Sequence, residues 1–118
     1  MLMKDTGEKK KNIRVVLTAH AMERISERFG VEDPAQITDV FGRTLREGLV
    51  SSNGNGTLIE YGCLLIAGEL HGSVFEVRTV FNTCRGIPEG LKEQLGYEKP
   101  SPWGDCVVIL PGDGGGDA

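Results

Sequence analysis

The sequence has few cysteines and no long apolar run. Its three cysteines, Cys63, Cys84 and Cys106, are widely spaced and form no C-x-x-C pair. This spacing predicts neither a zinc site nor a disulfide framework, so we expect three reduced thiols. No segment approaches the roughly 18 apolar residues that span a membrane, and no motif for a metal or an organic cofactor is present. We therefore expect no cofactor, no metal and no membrane partner.

The N-terminus also lacks the apolar segment of a signal peptide, although it is rich in lysine. A chain of 118 residues with 39% hydrophobic content suits one domain with a modest core. We expect a disordered basic arm over residues 1–11, a single α+β domain over residues 12–110 and a disordered tail over residues 111–118. Together these features predict a cytoplasmic protein.

The net charge of −4 is unevenly distributed along the chain. Residues 1–30 hold seven Lys or Arg against four Asp or Glu, a net charge of +3, whereas residues 31–118 hold six against thirteen, a net charge of −7. The acidic balance argues against a general nucleic-acid binder. The basic N-terminal region is compatible with a local polyanion site and equally with a solvated basic tail.

Residues 18–30 have the pattern of one helix of about three turns. Thr18 suits the N-cap position, and Gly30 suits a left-handed C-cap. Four apolar residues share one side of this helix and predict a stripe that faces the core. They are Ala21, Met22, Ile25 and Phe29.

His20, Arg24 and Arg28 form a row beside this stripe, which we call the basic strip. They lie at i, i+4 and i+8, so they share one strip of the helix surface. Two arginines four residues apart repel by about 0.2–0.5 kcal/mol, and a helix selected only for stability would alternate the signs. Guanidinium groups match phosphate oxygens, and histidine titrates near neutral pH. The strip is therefore a candidate phosphate site, with ion pairs to nearby glutamates as the structural alternative.

A second helix and a run of strands are predicted after the first helix. Asp33 suits the second N-cap, and Gly48 ends that helix after Glu47. From Leu49 the apolar period changes to two, which predicts strands joined by short turns at residues 49–52, 57–61, 63–70 and 73–82. The predicted fold is α+β, with two N-terminal helices packed on a small antiparallel sheet of about four strands.

The strand over residues 73–82 separates two candidate site residues. Alternation places Phe75, Val77, Thr79 and Phe81 on the core face and Arg78 on the opposite face. Arg78 and Thr79 are thus expected to point to opposite sides. His71 precedes Gly72 in a predicted turn, and we expect it to be a surface turn residue.

Several segments leave alternatives open. Residues 12–17 are interpreted as a strand or as an extended lead-in, and residues 105–110 as a last strand or as an apolar segment on the body. Residues 83–90 are predicted to be a loop, overlapping a short third helix over residues 88–95. Trp103 is expected to pack on the core.

The helix motif H-A-x-x-R-x-x-x-R, the second helix and the strand E-V-R-T-V-F resemble a known pattern. They are similar to a prokaryotic and phage family of small domains of unknown function that open with a His-Ala-x-x-Arg helix. That family is placed near the barnase–EndoU–colicin–RelE superfamily of metal-independent ribonucleases and toxins. The resemblance covers about residues 15–82 and implies a RelE/barnase-like fold with ribonuclease activity of toxin or phage type.

The resemblance and the chemistry of RNA cleavage assign roles to five residues. His20 is expected to act as general acid or base, with Arg24 and Arg78 as further catalytic residues, and Arg28 and Thr79 as substrate-binding residues. RNA is then the substrate, and an antitoxin or host protein is the expected protein partner. Two alternatives stay open: a non-catalytic binding or regulatory protein of the same fold, and a purely structural protein.

Overall fold

The computed structural model describes residues 11–53, 56–87, 89–95 and 98–111. The expected N-terminal arm and C-terminal tail therefore lie outside the described residues, apart from their innermost positions. The elements follow one another as β1 (Lys11–Leu17), α1 (Ala19–Phe29), α2 (Pro34–Glu47), β2 (Leu49–Asn53), β3 (Gly56–Tyr61), β4 (Leu64–His71), β5 (Val74–Asn82), a 3-10 turn (Thr83–Arg85), α3 (Glu89–Leu95), β6 (Lys99–Pro100) and β7 (Trp103–Ile109).

The first two helices begin and end as the sequence predicts. Thr18 Oγ1 accepts a hydrogen bond from the backbone N–H of Ala21 (3.1 Å), and Gly30 caps α1 with a φ of +70°. Asp33 occupies the N-cap of α2, but its side chain makes no capping hydrogen bond. Gly48 follows the last residue of α2 as its C-cap, and a Cβ at this position would lie 2.6 Å from the carbonyl oxygen of Thr44.

The seven strands form one mixed sheet in the order β6-β2-β3-β4-β5-β1-β7. Strands β2 to β5 form an antiparallel meander, whereas β1 pairs in parallel with both β5 and β7. The prediction of two helices on a four-stranded antiparallel, RelE/barnase-like sheet was therefore wrong. The described part of the chain is a sheet-rich, curled half-barrel with three helices.

The extra strands come from segments whose pairing is not local. Residues 12–17 belong to β1 and residues 105–109 to β7, and these strands are neighbours although they lie at opposite ends of the domain. Short turns predict hairpins, but parallel pairing between distant segments leaves no turn signal in the sequence. The sequence therefore identified the meander and offered a strand as one interpretation of each terminal segment, but it did not indicate that these two segments pair with each other.

The two edges of the sheet meet at one end of the half-barrel. β6 lies at one edge and β7 at the other, yet only Ser101 and Pro102 separate them. Ser101 N donates to Gly48 O (3.0 Å), and Lys11 N donates to Pro102 O (3.1 Å). The sheet curls around α2, which packs against both β3 and β7. Trp103, only 5% exposed, joins the core as predicted.

A β-bulge changes the side-chain alternation of β5. Ala67 of β4 pairs with Thr79 and the next residue, Gly68, pairs with Val77, so Arg78 is an extra residue on β5. Alternation therefore shifts by one residue after Val77.

The predicted core face of β5 was consequently wrong in its second half. Phe75, Val77 and Val80 are fully buried, whereas Thr79 and Phe81 are only half-buried. A bulge has no strong sequence signal here, because Arg78 and Thr79 both suit a strand.

Two of the cysteines form a disulfide, against the expectation of three reduced thiols. Cys63 and Cys84 are bridged, with their Cα atoms 5.8 Å apart. The β4–β5 hairpin brings these residues together, and Thr83 N donates to Cys63 O (2.8 Å) beside the bridge. Cys106 is a free, half-buried thiol, and burial raises its pKa. None of the described helices has the length and apolar character needed to cross a membrane.

Candidate functional site

The candidate site lies on the face of β4 and β5 that points away from α1 and α2. We call this side of the sheet the outer face. Leu64 and Ile66 of β4 belong to the core, so the residues that alternate with them face outward. The cross-strand pairs on the outer face are Leu65 with Phe81, Ala67 with Thr79, Glu69 with Glu76, and His71 with Val74.

Four charged or titratable side chains meet on this face: Glu69, His71, Glu76 and Arg78, which we call the Glu69 cluster. His71 Nε2 lies 3.3 Å from Oε1 of Glu69, and the Arg78 guanidinium pairs with Oε2 of the same carboxylate. Glu76 is directly opposite Glu69 in the neighbouring strand. One half-buried carboxylate therefore holds an imidazole and a guanidinium together.

The positive charge of Arg78 within the cluster works against metal binding. Ligand atoms of Glu69, His71 and Glu76 lie within 4.8 Å of one another, which is close enough to hold a divalent cation. The Arg78 guanidinium already neutralises Glu69, however, and would repel a cation at the same carboxylate. Two glutamates directly opposite each other repel, and Arg78 offsets part of that repulsion.

A cleft of about 200 Å³ adjoins the cluster between α3 and β5, and we call it the outer cleft. Its lining includes Leu58, Ala67, Arg78, Thr79, Phe81 and Leu91. Because the bulge shifts the alternation, Arg78 and Thr79 line the same cleft, whereas alternation predicted that they point to opposite sides. Arg78 belongs to both the cleft and the Glu69 cluster.

Helix α1 takes the place of a neighbouring strand along the second half of β5. The described pairing between β1 and β5 ends at Leu17 and Val77. At this point Thr18 Oγ1 donates to the carbonyl oxygen of Val77 (3.0 Å). At the other end of the helix, Asn82 Nδ2 donates to the carbonyl oxygen of Arg28 (3.3 Å). The basic strip therefore belongs to a helix that is fixed to β5 at both ends.

Arg28 connects the basic strip to the outer cleft. Its Nη1 donates to the carbonyl oxygen of Val80 (2.6 Å), and its guanidinium carbon lies 5.4 Å from the centroid of the Phe81 ring. This distance is within the range of a cation–π contact. Arg28 thus anchors the helix and also places a positive charge against a ring that lines the cleft.

The other two residues of the basic strip are less closely tied to the sheet. Arg24 forms an ion pair with Glu27 (2.5 Å), which is the structural alternative that the sequence left open. His20 is exposed in the first turn of α1. Among the contacts of the described residues, neither side chain reaches the Glu69 cluster. The structure therefore places Arg78 and Thr79 in the lining of the cleft and Arg28 against its Phe81 ring, and it leaves the exposed His20 and the half-buried Arg24 elsewhere on α1.

Sequence reasoning missed four residues of this region: Glu69, His71 as more than a turn residue, Glu76 and Phe81. The pairing of Glu69 with Glu76 could have been read by counting outward from the turn at Gly72, because two-residue turns fix the register of a hairpin. The position of Phe81 could not be predicted in this way, because the bulge moves its side chain from the predicted core face to the outer face.

Comparison with known proteins adds no relative to this description. No family model, no curated protein and no solved structure matches the chain. The resemblance to the His-Ala-x-x-Arg family thus stays a prediction, and the function has to be argued from the chemistry of the outer face.

Proposed function

We propose that the protein is a small ribonuclease-like domain that cleaves RNA without a metal ion, using the Glu69 cluster as its reacting groups. One observation carries the proposal: a single half-buried carboxylate, Glu69, contacts both an imidazole and a guanidinium at the border of a cleft. Carboxylate, imidazole and guanidinium groups can together supply the base, the acid and the cationic donor that metal-free RNA cleavage uses.

The reaction needs two proton transfers and one charge-stabilising contact. A base removes the proton from the ribose 2′-hydroxyl, and the oxygen attacks the adjacent phosphorus. The bond to the 5′-oxygen breaks as an acid supplies a proton to that leaving oxygen, which yields a 2′,3′-cyclic phosphate and a 5′-hydroxyl end. Cationic donors stabilise the pentavalent phosphate between these steps.

Each member of the cluster suits one of these roles. His71 acts as the general acid, because a protonated imidazole can donate a proton to the leaving oxygen and the side chain is exposed. Glu76 acts as the general base from the neighbouring strand, and the Arg78 fork binds the scissile phosphate. Glu69 is a positioning residue, since its two oxygens hold His71 and Arg78.

The basic strip extends this site toward the flanking phosphates. Arg24 and Arg28 lie four residues apart on one strip of α1, and we assign them to backbone phosphates of the RNA next to the cleaved bond. His20 is the second imidazole of the chain and competes with His71 for the acid–base role. The cleavage rates of His71→Ala and His20→Ala therefore show which histidine has this role.

The proposal is tested with labelled single-stranded RNA in EDTA between pH 5 and 8. We expect cleavage by the wild type with 2′,3′-cyclic phosphate products, and a loss of about 10²- to 10⁴-fold in His71→Ala. Arg78→Lys should also cleave more slowly, because lysine lacks the planar guanidinium group that binds two phosphate oxygens. Arg43→Lys on α2 is the matched control and should cleave at the wild-type rate. Cleavage lost only in His20→Ala would move the acid–base role to the basic strip, and no cleavage by folded wild type contradicts the proposal.

A non-catalytic binding or regulatory protein is the second candidate. The net charge of −7 over residues 31–118 favours a protein partner over nucleic acid, because an acidic surface limits general nucleic-acid affinity. Its outcome would be no RNA cleavage by the folded wild type, together with saturable binding of a protein partner in a pull-down.

A further inference from the structure

We propose that the outer cleft binds one unstacked base of single-stranded RNA, with Phe81 as the stacking surface. This inference rests on the proposed function in one respect, which is that RNA is the ligand. It adds a binding subsite and a preference for single strands, neither of which follows from the Glu69 cluster.

The size and walls of the cleft fit a single flat ring. Its volume of about 200 Å³ is below the roughly 300–1,000 Å³ of pockets for drug-sized ligands. The side chains of Leu58, Ala67, Phe81 and Leu91 make most of its lining apolar. A base can enter such a space, whereas its ribose and phosphate stay outside.

Charge distinguishes this occupant from an uncharged apolar ligand. Arg78 lines the cleft, and the guanidinium of Arg28 lies 5.4 Å from the centroid of the Phe81 ring. Two cations beside an otherwise apolar cleft suit a ring that is linked through a ribose to a phosphate. Aromatic side chains and guanidinium planes are the groups that stack on unpaired bases of RNA.

The position of the cleft links the base to the reacting groups. Arg78 pairs with Glu69 and also lines the cleft, so a base held there has its phosphate next to the Glu69 cluster. Thr79 adds a hydroxyl that can donate to or accept from the edge of the base. The cleft therefore sets which nucleotide flanks the cleaved bond.

A base within a duplex cannot enter the cleft without leaving its stack. Both of its ring faces are covered by neighbouring base pairs, and extrusion requires unstacking and unpairing. The geometry therefore predicts a preference for single-stranded RNA over a duplex of the same length and charge.

The test is a binding titration with a fluorescent 2′-O-methyl oligoribonucleotide, which cannot be cleaved because it lacks the free 2′-hydroxyl. Phe81→Leu removes the ring and keeps most of the volume, and we expect it to weaken binding by about 5- to 150-fold. Phe81→Trp should retain the affinity because it restores a stacking surface.

Phe29→Leu is the matched control, since Phe29 is also half-buried but lines a different cavity beside α2. It should bind as the wild type does. A duplex of the same oligonucleotide should compete at least ten times more weakly than the single strand. Folded Phe81→Leu that binds as tightly as the wild type, or a duplex that competes equally, overturns the proposal.

Cleavage assays on the same variants separate this inference from the proposed function. Weak binding by Phe81→Leu together with no cleavage by the wild type supports the base site and contradicts the nuclease. Normal binding and normal cleavage by Phe81→Leu contradict the base site alone. A wild type that neither binds nor cleaves RNA contradicts both.

Discussion

Gly68 is the residue on which the geometry of the outer face depends most directly. It faces Val77 at the bulge of β5, and a Cβ built on it would lie 2.1 Å from the carbonyl oxygen of Glu76. Real Cβ atoms do not approach backbone oxygens this closely. The absence of a side chain at Gly68 therefore allows β4 and β5 to approach each other beside the Glu69 cluster.

Replacement of Gly68 by alanine should accordingly destabilise the fold. The new methyl group must push β5 away from β4, and we expect the free energy of unfolding in urea to fall by about 1–3 kcal/mol. Gly90→Ala in α3 is the control, because nothing lies within 4 Å of its built Cβ. That variant should gain up to about 1 kcal/mol from helix propensity. Equal unfolding curves for Gly68→Ala and the wild type would show that the strands can separate freely.

At the scale of elements, the β4–β5 hairpin carries the candidate site and is closed by the disulfide. Cys63 lies just before β4, and Cys84 lies just after β5, so the bridge joins the open end of the hairpin. Asn82, at the end of β5, bonds both to Cys84 N through Oδ1 and to the last turn of α1. Asn82 therefore links the disulfide end of the hairpin to α1 through hydrogen bonds.

Reduction of the disulfide should lower stability by a measurable amount. The separation of 21 residues corresponds to about 3 kcal/mol of loop entropy in the unfolded chain. We expect a reductant to lower the Tm of the wild type, and the double variant Cys63→Ser, Cys84→Ser to match the reduced protein. The control is Cys106→Ser, which should respond to the reductant as the wild type does. A wild-type Tm that does not change on reduction would contradict a stabilising bridge.

The same hairpin shows what could be predicted from the sequence. Both helices and the antiparallel meander were correct because caps, apolar periods and tight turns are local signals. The disulfide and the bulge were missed, and β1 and β7 were left open between a strand and an alternative, because their parallel pairing joins distant segments of the chain. A widely spaced cysteine pair carries no information about its partner until the hairpin register is known.

The residues of the candidate site also fall into those that the sequence predicted and those that it did not. Arg78 and Thr79 were selected through a family resemblance, and both line the outer cleft. Glu69 was overlooked, although the hairpin turn places it opposite Glu76. Phe81 was assigned to the core because one inserted residue, Arg78, reverses every later side chain of the strand.

At the scale of the whole molecule, the connection between the two edges of the half-barrel begins with a very short strand. β6 pairs with β2 through Leu49 with Pro100 and Val50 with Lys99. Glu98 directly precedes β6 and lies against Glu60 of β3, which is the partner of Leu49 on its other side. Burial, a hydrogen bond with Glu60 and repulsion by that carboxylate raise the pKa of Glu98 to about 7. Two carboxyl groups therefore meet where the chain turns toward the opposite edge of the sheet.

The raised pKa of Glu98 makes the pairing of β6 with β2, and with it the stability of the fold, depend on pH. The folded pKa of about 7 exceeds the ordinary value of 4.5 for a glutamate, so the folded state binds the proton more tightly than the unfolded state does. Glu98 thus contributes its full stabilisation below pH 4.5, and this contribution is lost as the pH rises through 7. Solvent screening at this half-buried site leaves an effect of about 1 kcal/mol, or about 4–8 °C in Tm.

Glu98→Gln should remove this dependence, because the amide cannot ionise and can still donate a hydrogen bond to Glu60. Tm measured from pH 5 to 8.5 should fall in the wild type and stay nearly level in the variant, which should be the more stable protein at pH 8.5. The control is Glu23→Gln on the exposed surface of α1, which should follow the wild-type curve. Parallel curves for Glu98→Gln and the wild type would mean that the two carboxyl groups separate in solution and that β6 closes the half-barrel without them.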